Sequence, residues 1–292
     1  MRLILTADIH LKKAVPVCRP EDEAGWLVEQ KKMLEKLAEH AIENHALLLF
    51  VGDIFDAPVA SISVVNMFLE VFLPIKDRVL IMAGNHDLRG HNYENVDESS
   101  YGILAKWFTE IPDRTLGNIG GHHFNEPYAG EHNIVCTHQL VFPTESEASL
   151  CGAKTAKTLL KEYPHAELVL VGDMHSKFVY EEDGRYVVNP GCATRQSIKY
   201  ADYIPSCYLI DTEIGLIDQL DLPDVEAVLS TGHRDRIAER DERIANLLEI
   251  AGNRGTISMD FLANLQNQIG LVSEDVQSVL NEIITEVKEM QE

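Results

Sequence analysis

Short apolar runs alternate with longer amphipathic segments along the first third of the chain. Residues 3–7, 47–51 and 78–83 are apolar enough to form buried strands. Between the first two runs, residues 21–44 carry apolar side chains three and four positions apart, which predicts an amphipathic helix connecting parallel strands. Residues 61–73 are apolar on nearly every side and predict a second helix, covered on both faces. This alternation predicts an α/β fold.

The segment after the third strand is less regular. Residues 88–100 lack periodicity and predict a long surface loop, and residues 101–108 predict a short helix. Further apolar runs at 133–138 and 167–171 predict two more strands, with a helix over 154–163 between them. Strand and helix are therefore expected to alternate up to residue 171.

The rest of the core is predicted to be antiparallel. Asp183-Gly184 separates two short β segments and is a strong hairpin signal, and a second hairpin is predicted across Gly215. From residue 223 onward the apolar spacing is helical throughout. The sequence therefore predicts a sheet-containing domain over 1–222 and a small C-terminal helical module over 223–292.

The helix predicted over 61–73 has more apolar positions than one sheet-facing stripe needs. That stripe is predicted to contain Ile62, Val65, Leu69 and Phe72. The apolar positions left on another face are Val64, Met67, Phe68 and Val71. Exposed apolar surface of this extent is typical of an interface, which predicts a homodimer. The alternative is that the helix over 101–108 of the same chain covers this face.

Composition and charge limit the partners that this chain can bind. With 292 residues, 45% of them hydrophobic, it can bury one large core and still have a small appendage. The formal net charge of −22 repels phosphate backbones at long range. Binding of nucleic acid therefore requires local basic patches, bound metals or a basic partner, although acidity does not exclude a nuclease.

The cysteines and the apolar runs indicate a compartment. The chain has five cysteines, an odd number without C-x-x-C spacing, which predicts free thiols in a reducing environment. No apolar run is long enough to cross a bilayer, and the first residues lack a signal-peptide pattern. We therefore expect a cytoplasmic protein that does not bind membranes.

Polar side chains follow the predicted strands at the points where the strands end. Open α/β sheets bind ligands at this carboxyl-terminal edge. The side chains are carboxylates, imidazoles and one amide, and no Ser or Cys nucleophile is among them. In chain order they are Asp8, His10, Asp53, Asp56, Asn85, His86, His138, Asp173 and His175.

These side-chain types favour a pair of divalent cations. Two cations about 3.5 to 4 Å apart need a bridging carboxylate with nitrogen or oxygen ligands on both sides, and they clamp the attacking and leaving oxygens of a phosphoester. Each motif alone has an ordinary explanation, because Asp-x-His also occurs in solvated turns and Gly-Asp before helices. Their joint occurrence, each after an apolar strand, predicts a two-metal centre.

The ordered motifs resemble those of the calcineurin-like metallophosphoesterase superfamily over about residues 1–222. The motifs are Asp8-x-His10, Gly52-Asp53-x-x-Asp56, Gly84-Asn85-His86-Asp87, His138 and Asp173-x-His175. The resemblance implies an α/β fold in which a two-sheet β-sandwich is flanked by helices in four αββα layers. It also implies hydrolysis of phosphoesters at two divalent metal ions, which lower the pKa of bound water.

The resemblance assigns a role to each motif residue. The implied ligands of the first metal are Asp8, His10 and His175. Asn85 and His138 are the implied ligands of the second metal, and Asp53 bridges the two. His86 is implied to be the general acid or a phosphate contact, oriented by Asp56.

One position departs from the superfamily pattern. Where Gly-His-x-His is usual, this chain has Gly172-Asp173-Met174-His175. Carboxylates bind Mn²⁺ and Mg²⁺ well, so we expect Asp173 to be a ligand, and the alternative is loss of the second site. The extra carboxylate favours harder metals and attracts phosphate less strongly. We expect Mn²⁺, with Mg²⁺ as the alternative.

Neighbouring residues narrow the resemblance further. The segments Gly52-Asp53-Ile54-Phe55-Asp56-x-Pro58 and Asn189-Pro190-Gly191-Cys192 are similar to those of the SbcD-type nuclease subunit of DNA repair and recombination. Phages encode short versions of this subunit, and for such a chain the location would be the host cytoplasm. The resemblance implies Mn²⁺-dependent hydrolysis of DNA phosphodiesters together with a partner, an SbcC-like coiled-coil ATPase.

The C-terminal module has its own apolar pattern. Apolar positions recur at alternating four- and three-residue steps, a coiled-coil-like stripe too short to be stable alone. The stripe consists of Val276, Leu280, Ile283, Val287 and Met290. We expect it either to pack on the rest of the chain or to bind the SbcC-like ATPase, since the related nuclease subunits bind that partner through C-terminal helices.

Two other classes of function stay open. A small-molecule phosphodiesterase or phosphatase would use the same metal centre without an ATPase, and an inactive scaffold would not use its chemistry. The basic residues Arg89, Arg195 and Lys199 follow the motifs and are expected to contact DNA phosphates. For Lys12 and Lys13 the favoured interpretation is a solvated surface.

Overall fold

The computed structural model describes residues 1–112, 118–128, 130–148, 153–223, 229–230 and 277. The chain forms two compact units, Met1–Ser230 and Thr231–Glu292. The first unit extends past the boundary predicted after residue 222. The helices predicted within 223–292 lie almost entirely outside the described residues, so they stay predictions.

The described part of the first unit contains both strands and helices up to residue 172 and then continues mainly as strands. In chain order the elements are β1 (Arg2–Thr6), α1 (Glu23–Glu43), β2 (Leu47–Val51), α2 (Ile62–Phe72), β3 (Val79–Met82), α3 (Ser100–Leu104), β4 (Thr109–Glu110), β5 (Ile119–His122), β6 (Ile134–His138), β7 (Val141–Phe142), α4 (Glu145–Ala148), β8 (Lys154–Thr155), α5 (Ala156–Glu162), β9 (Leu168–Gly172), β10 (Phe178–Glu182), β11 (Arg185–Asn189), β12 (Ser206–Asp211) and β13 (Leu216–Asp221).

Two main sheets carry the fold. The first has the order β13-β12-β1-β2-β3-β4. Its strands β1 to β4 pair in parallel, whereas the β1–β12 and β12–β13 pairs are antiparallel. The second has the order β10-β11-β9-β6-β5. Its strands β5, β6, β9 and β11 are parallel, and only the edge strand β10 is antiparallel.

The prediction that the core after residue 171 is antiparallel is wrong for one pairing, because β11 runs parallel to β9. Both predicted hairpins are present, as β10–β11 and β12–β13. A hairpin turn fixes only the pairing of its own two strands. The neighbour that β11 takes on its other side is β9, which runs parallel to it, and this choice depends on tertiary packing that no local signal encodes.

Three apolar layers explain why the strands are apolar on both faces. Alternate residues of the first sheet, such as Leu5 and Leu49, pack against residues such as Leu170 of the second sheet. The intervening residues of the first sheet face α1 and α2, whereas the outer face of the second sheet packs on α5. Strands buried on both sides are near-continuous apolar runs. The arrangement confirms the predicted two-sheet α/β fold flanked by helices.

Two helices are shorter than predicted, and each has a short strand near one of its predicted ends. The helix predicted over 101–108 is only Ser100–Leu104, since Thr109 pairs with Leu80 of β3. The helix predicted over 154–163 begins at Ala156, where the Thr155 side chain accepts a hydrogen bond from the Thr158 amide. The loop predicted over 88–100 contains two short 3₁₀ segments, Arg89–His91 and Tyr93–Glu98.

Helix α2 does not present the free apolar face that the sequence predicted. Val64, Met67 and Phe68 are buried, whereas Ile62, which was assigned to the sheet-facing stripe, is 80% exposed. The Phe68 ring lies 5.3 Å from the Phe50 ring and 5.6 Å from the Phe108 ring, centroid to centroid. The sheet, α1 and the segment after α3 cover the helix within one chain. The homodimer stays a prediction without this support.

Two further expectations concern cysteines and membranes. Cys136 and Cys207 are buried free thiols, and burial raises the pKa of Cys207 to about 12. Cys151 lies outside the described residues. In the part of the chain that the structure describes, no helix is long and apolar enough to cross a membrane. The cytoplasmic location stays a prediction.

We predict that Phe68→Ala lowers the free energy of unfolding by about 3 to 5 kcal/mol, because it removes a fully buried ring and leaves a cavity. Urea denaturation followed by circular dichroism measures this change. Ile62→Ala on the same helix is the control and should change the free energy by less than about 0.5 kcal/mol. Similar losses in the two variants would contradict the described packing of α2.

Candidate metal centre

The carboxyl-terminal ends of five parallel strands from the two sheets meet at one edge of the first unit. In the first sheet, β1, β2 and β3 end just before the turns that carry Asp8, Asp53 and Asn85. In the second sheet, β6 ends at His138 and β9 ends just before Asp173. Because neighbouring parallel strands end at the same edge, residues far apart in sequence become neighbours.

One cluster contains Asp8, His10 and His175. The Nε2 atoms of His10 and His175 are 3.0 Å apart. The Asp8 Oδ1 atom lies 4.0 Å from the first of these nitrogens and 3.9 Å from the second. Asp8 and His10 are buried, and His175 is partly exposed. The set of three is the one that the sequence assigned to the first metal, and its ligand atoms lie within 4.8 Å of one another.

A second cluster contains Asp8, Asp53 and His138, all buried. Asp53 Oδ2 lies 3.4 Å from His138 Nε2 and 3.6 Å from His10 Nε2, so this carboxylate is situated between the two clusters. Asn85 Oδ1 is 3.1 Å from His138 Nε2. The other ring nitrogen, His138 Nδ1, is 2.9 Å from the Val51 carbonyl. A carbonyl can only accept, so His138 Nδ1 carries a proton and Nε2 points at the cluster.

His86 lies beside both clusters on the exposed side. Its ring is 4.8 Å from the His10 ring, centroid to centroid, and its main-chain amide donates to Asp53 Oδ1 at 2.9 Å. His86 also forms a possible ligand group with His10 and Asp53. Its Nδ1 atom donates to the main-chain carbonyl of Asp56 at 2.9 Å. A neutral His86 therefore keeps a free lone pair on Nε2.

Asp56 contacts His86, as the prediction that it orients this ring requires. The contact with His86 is made by the Asp56 main chain, and the carboxylate instead accepts from Lys12 Nζ at 3.0 Å. Asp56 Oδ1 also lies 3.7 Å from His10 Nδ1. The Asp56 carboxylate is thus near Lys12 and His10, whereas its main-chain carbonyl contacts His86. A main-chain carbonyl is present whatever the residue type.

Asp173 is near the clusters but belongs to none of the three groups that the described residues form. Its main-chain amide donates to both carboxylate oxygens of Asp8, at 3.1 Å each. Burial raises the pKa of its carboxyl, and His138 opposes the rise. The main chain at this position helps to hold Asp8, and the ligand role of the Asp173 side chain stays a prediction.

The charges in the site are mutually dependent. Burial raises the pKa of Asp8 well above its ordinary value; His138 opposes this rise and Asp53 adds to it. Burial lowers the pKa of His10 to about 4. Burial alone would also lower the pKa of His138, but the Asp53 and Asp8 carboxylates raise it to about 10. For Asp53, burial would raise the pKa, but His138 and His10 hold it below its ordinary value.

These donors fit divalent cations. Two carboxylates buried this closely repel each other, and burying such charge is costly unless a cation or a hydrogen-bonded partner compensates it. Carboxylate and amide oxygens and imidazole nitrogens are the ligands that Mn²⁺, Mg²⁺ and Zn²⁺ accept. The Asp53 and Asp8 carboxylates raise the pKa of His138, and a bound cation would compensate the same negative charge. The clusters therefore support the predicted metal centre without specifying the metal.

The backbone is strained where these ligands are placed. Asp8 and His10 have φ values of 50° and 50°, Asp53 has 52° and Asp173 has 86°, all in the left-handed region. Such conformations cost about 1 to 3 kcal/mol each and tend to persist at functional sites.

Two glycines are also required by the close approach of the loops. A Cβ atom on Gly52 would lie 2.0 Å from His138 Nδ1, and one on Gly84 would lie 2.2 Å from Asp53 Oδ1. Both glycines directly precede a predicted ligand, Asp53 or Asn85. The Gly-Asp and Gly-Asn dipeptides therefore have a steric reason, because no larger residue fits before either ligand.

Asp87 is a functional residue to which the sequence interpretation gave no role. Its fully buried carboxylate accepts from the amides of Ile54, Phe55 and Gly84 at 3.2, 2.8 and 3.0 Å, so it joins the loops after β2 and β3. Burial, with a further contribution from Asp53, raises its pKa to about 7. The sequence contained a signal for this role, because a carboxylate directly after His86 in a buried turn needs hydrogen-bond donors.

Two other supporting residues carried no sequence signal. His123 Nδ1 accepts from the Ala83 amide at 3.1 Å, just before Gly84. Gln196 Nε2 donates to the carbonyls of Ile9 and His10 at 3.1 Å each. Both come from distant parts of the chain, so only the folded structure places them behind the ligands.

The three basic residues expected to contact DNA differ in exposure and in their neighbours. Arg195 is only 4% exposed and its Nη1 donates to the Ala201 carbonyl at 2.7 Å, so the expectation of a phosphate contact is wrong for this residue. Arg89 is exposed and lies 3.4 Å from Glu98. Lys199 is exposed and lines a cavity of about 280 Å³ beside the first cluster. Lys13 pairs with Glu23 at the surface.

Another cavity, larger than the one beside the first cluster, is not at this site. A cavity of about 610 Å³ lies between the two sheets near Met1, Ile134 and Leu168, where β1, β6 and β9 begin. It is therefore at the opposite edge from the strand ends that carry the ligands. The buried carboxylates and imidazoles identify the candidate site, whereas cavity volume does not.

Among the comparisons with known proteins, the match to a family model agrees with this chemistry. The family model for calcineurin-like phosphoesterases matches residues 1–177, which is more than half of the chain. An archaeal phosphodiesterase is 16% identical with a TM-score of 0.42, and the alignment covers 76% of this chain and 100% of that one. Vacuolar protein sorting 29 from Cryptosporidium parvum is 20% identical with a TM-score of 0.40, covering 78% and 95%.

No curated protein sequence matches significantly. The two structural likenesses are too distant to indicate a substrate, so the family model carries the assignment. Its match spans the turns of Asp8, Asp53 and Asn85, together with His138 and His175, all of which the structure brings to one edge. This chain belongs to the calcineurin-like phosphoesterase family and is a phosphoester hydrolase of the metallophosphoesterase type.

Proposed function

We propose that this protein is the nuclease subunit of a DNA repair or recombination complex and hydrolyses DNA phosphodiesters with two divalent metal ions. The observation that carries the two-metal part is the position of Asp53, between His10 of the first cluster and His138 of the second. The similarity of its turn and of Asn189-Pro190-Gly191-Cys192 to the SbcD-type subunit supports DNA as the substrate.

The residues present have distinct tasks in this proposal. Asp8, His10 and His175 would hold one cation, Asn85 and His138 the other, and Asp53 would contact both. When bound, such cations lower the pKa of water and offset the charge of the phosphodiester. We propose Mn²⁺, because carboxylates together with imidazoles suit it, and Asp173 as an additional ligand.

His86 is suited to handle a proton on the exposed side of the site. Its Nδ1 atom donates a hydrogen bond to the Asp56 carbonyl, so Nε2 is the ring nitrogen left for a substrate. A protonated Nε2 could donate to the leaving oxygen, and a protonated ring could also contact a phosphate oxygen. Lys12 on the Asp56 carboxylate keeps a positive charge close to this ring.

A basic partner would resolve the conflict between DNA and the charge of this chain. The formal net charge of −22 opposes the approach of a polyanion. We propose that an SbcC-like ATPase binds the helices predicted within 223–292 and supplies the DNA-binding surface. The homodimer and the cytoplasmic location belong to the same proposal.

A small-molecule phosphodiesterase or phosphatase is the second candidate. It is favoured by the size of the cavity beside the first cluster, about 280 Å³, which suits a single nucleotide-sized group. An inactive scaffold is disfavoured, because it would keep the strained ligand turns and buried carboxylates without a use for them.

A substrate panel tests the proposed function. With Mn²⁺, we expect the full chain to hydrolyse linear DNA, and a chelator should abolish this activity. A cyclic nucleotide and an aryl phosphodiester, assayed at the same enzyme concentration, provide the comparison. Hydrolysis of the small esters with none of the DNA, in the presence of the ATPase as well, would favour the second candidate.

Substitution of two histidines separates proton transfer from metal binding. His86→Ala should lower turnover by about 10²-fold or more and leave the metal content unchanged, since a general acid is lost. His138→Ala should lower the metal content itself. Metal content is measured by mass spectrometry after desalting. An equal loss of metal in the two variants would show that His86 is a ligand, which its proximity to His10 and Asp53 makes a real alternative.

Truncation after Ser230 tests the proposed partner. This point keeps buried Leu229 and the hydrogen bond from the Ser230 amide to the Cys18 carbonyl. We expect the truncated protein to hydrolyse an aryl phosphodiester normally and to lose co-purification with the SbcC-like ATPase. A full-length variant with Leu280→Asp and Ile283→Asp should show the same loss if the truncated chain does not fold. ATPase binding by both proteins would overturn this part of the proposal.

A further inference from the structure

The cavity beside the first cluster has an aromatic wall that the phosphoester chemistry does not use. Asp8, His10 and His175 form its floor, and the segment from Thr194 to Tyr200 forms one side. The Tyr200 ring is partly exposed and its centroid is 6.1 Å from that of the His175 ring. The Tyr200 ring is thus adjacent to His175, a predicted metal ligand.

The segment that carries Tyr200 is held firmly in place. The buried Arg195 side chain donates to the Ala201 carbonyl at 2.7 Å, just after Tyr200. Gln196 Nε2 donates to the Ile9 and His10 carbonyls, so the segment is attached to the turn that carries a metal ligand. The position of the Tyr200 ring relative to the cluster is therefore set by side-chain hydrogen bonds on both sides.

A positive charge accompanies the ring. Lys199 Nζ lies 4.6 Å from the centroid of the Tyr200 ring, and the Lys199 side chain is exposed. A second ring, that of Tyr203, is 5.7 Å from the Tyr200 ring and supports it. The ammonium group lies over one side of the Tyr200 ring, and an aromatic ring together with a positive charge is the combination that binds a base by stacking and its phosphate by charge.

We infer that Tyr200 stacks on the base of the nucleotide next to the scissile phosphate, and that Lys199 contacts the phosphate of that nucleotide. This inference rests on the proposed function, because it names the part of the DNA strand that the cavity holds. The cavity has a volume of about 280 Å³ and lies beside the first cluster, so the inferred occupant is one nucleotide of a single strand. Stacking tolerates every base, which suits a nuclease without sequence preference.

An abasic scan tests the inference on the full chain. A single-stranded oligonucleotide is prepared with one tetrahydrofuran abasic residue, placed at a different position in each copy, and its cleavage in Mn²⁺ is followed. For the unmodified protein, removal of the base next to the cleaved bond should slow cleavage by about 5- to 100-fold, as expected for the loss of one stacked base. Removal of distant bases should have little effect.

Variants identify the residue responsible. Tyr200→Leu keeps an apolar side chain of useful size but removes the ring, so it should slow cleavage of the intact strand and abolish the additional effect of the abasic residue. Tyr200→Phe keeps the ring and should retain the profile of the unmodified protein. Tyr186→Leu, in the cavity at the opposite edge, is the matched control and should not change the profile.

The outcomes distinguish the inference from the function on which it rests. Cleavage with the same abasic profile in the unmodified protein and in Tyr200→Leu would overturn the stacking inference and leave the nuclease intact. No cleavage of any oligonucleotide by the unmodified protein, with the ATPase present, would overturn the nuclease and the inference together. A metal content equal in all variants confirms that the substitutions act on the strand and not on the metal centre.

Discussion

The electrostatic constraint on which the site depends is the burial of Asp8 and Asp53 beside His10 and His138. Carboxylate oxygens of Asp8 and Asp53 lie within 4.8 Å of each other, where like charges repel and few water molecules can solvate them. A dication offsets both carboxylates at once and leaves the imidazoles neutral. The stability of this edge and its chemistry therefore depend on the same cations, which links folding to metal binding.

The fold meets this constraint by bringing the ends of two sheets together. Each ligand turn is short and begins directly at a strand end, so the rigid sheets fix its position. Gly52 and Gly84 permit contacts that a Cβ atom would block, and the Asp87 carboxylate joins two of the turns through three amides. Removal of any one of these supports would displace a ligand turn without touching a ligand.

Much of this arrangement could be predicted from the sequence, because its signals are local. Apolar runs predicted the strands, and Asp, Asn and His after each run predicted the turns that the structure brings to one edge. What could not be predicted depended on contacts between distant residues. The parallel pairing of β11 with β9, the covered face of α2 and the burial of Arg195 all result from tertiary packing. The hydrogen bond between Asp56 and His86 comes from a main-chain carbonyl, an atom that the residue type alone does not indicate.

The central claim is that two cations bind here and that Asp53 lies between them. Anomalous scattering from crystals soaked in Mn²⁺ measures this most directly. We predict two peaks about 3.5 to 4 Å apart, one beside Asp8, His10 and His175 and the other beside Asn85 and His138, with an Asp53 oxygen near both. A carboxylate oxygen of Asp173 beside the second peak would establish it as a ligand. A single peak near Asp53, or none, would contradict the two-metal centre.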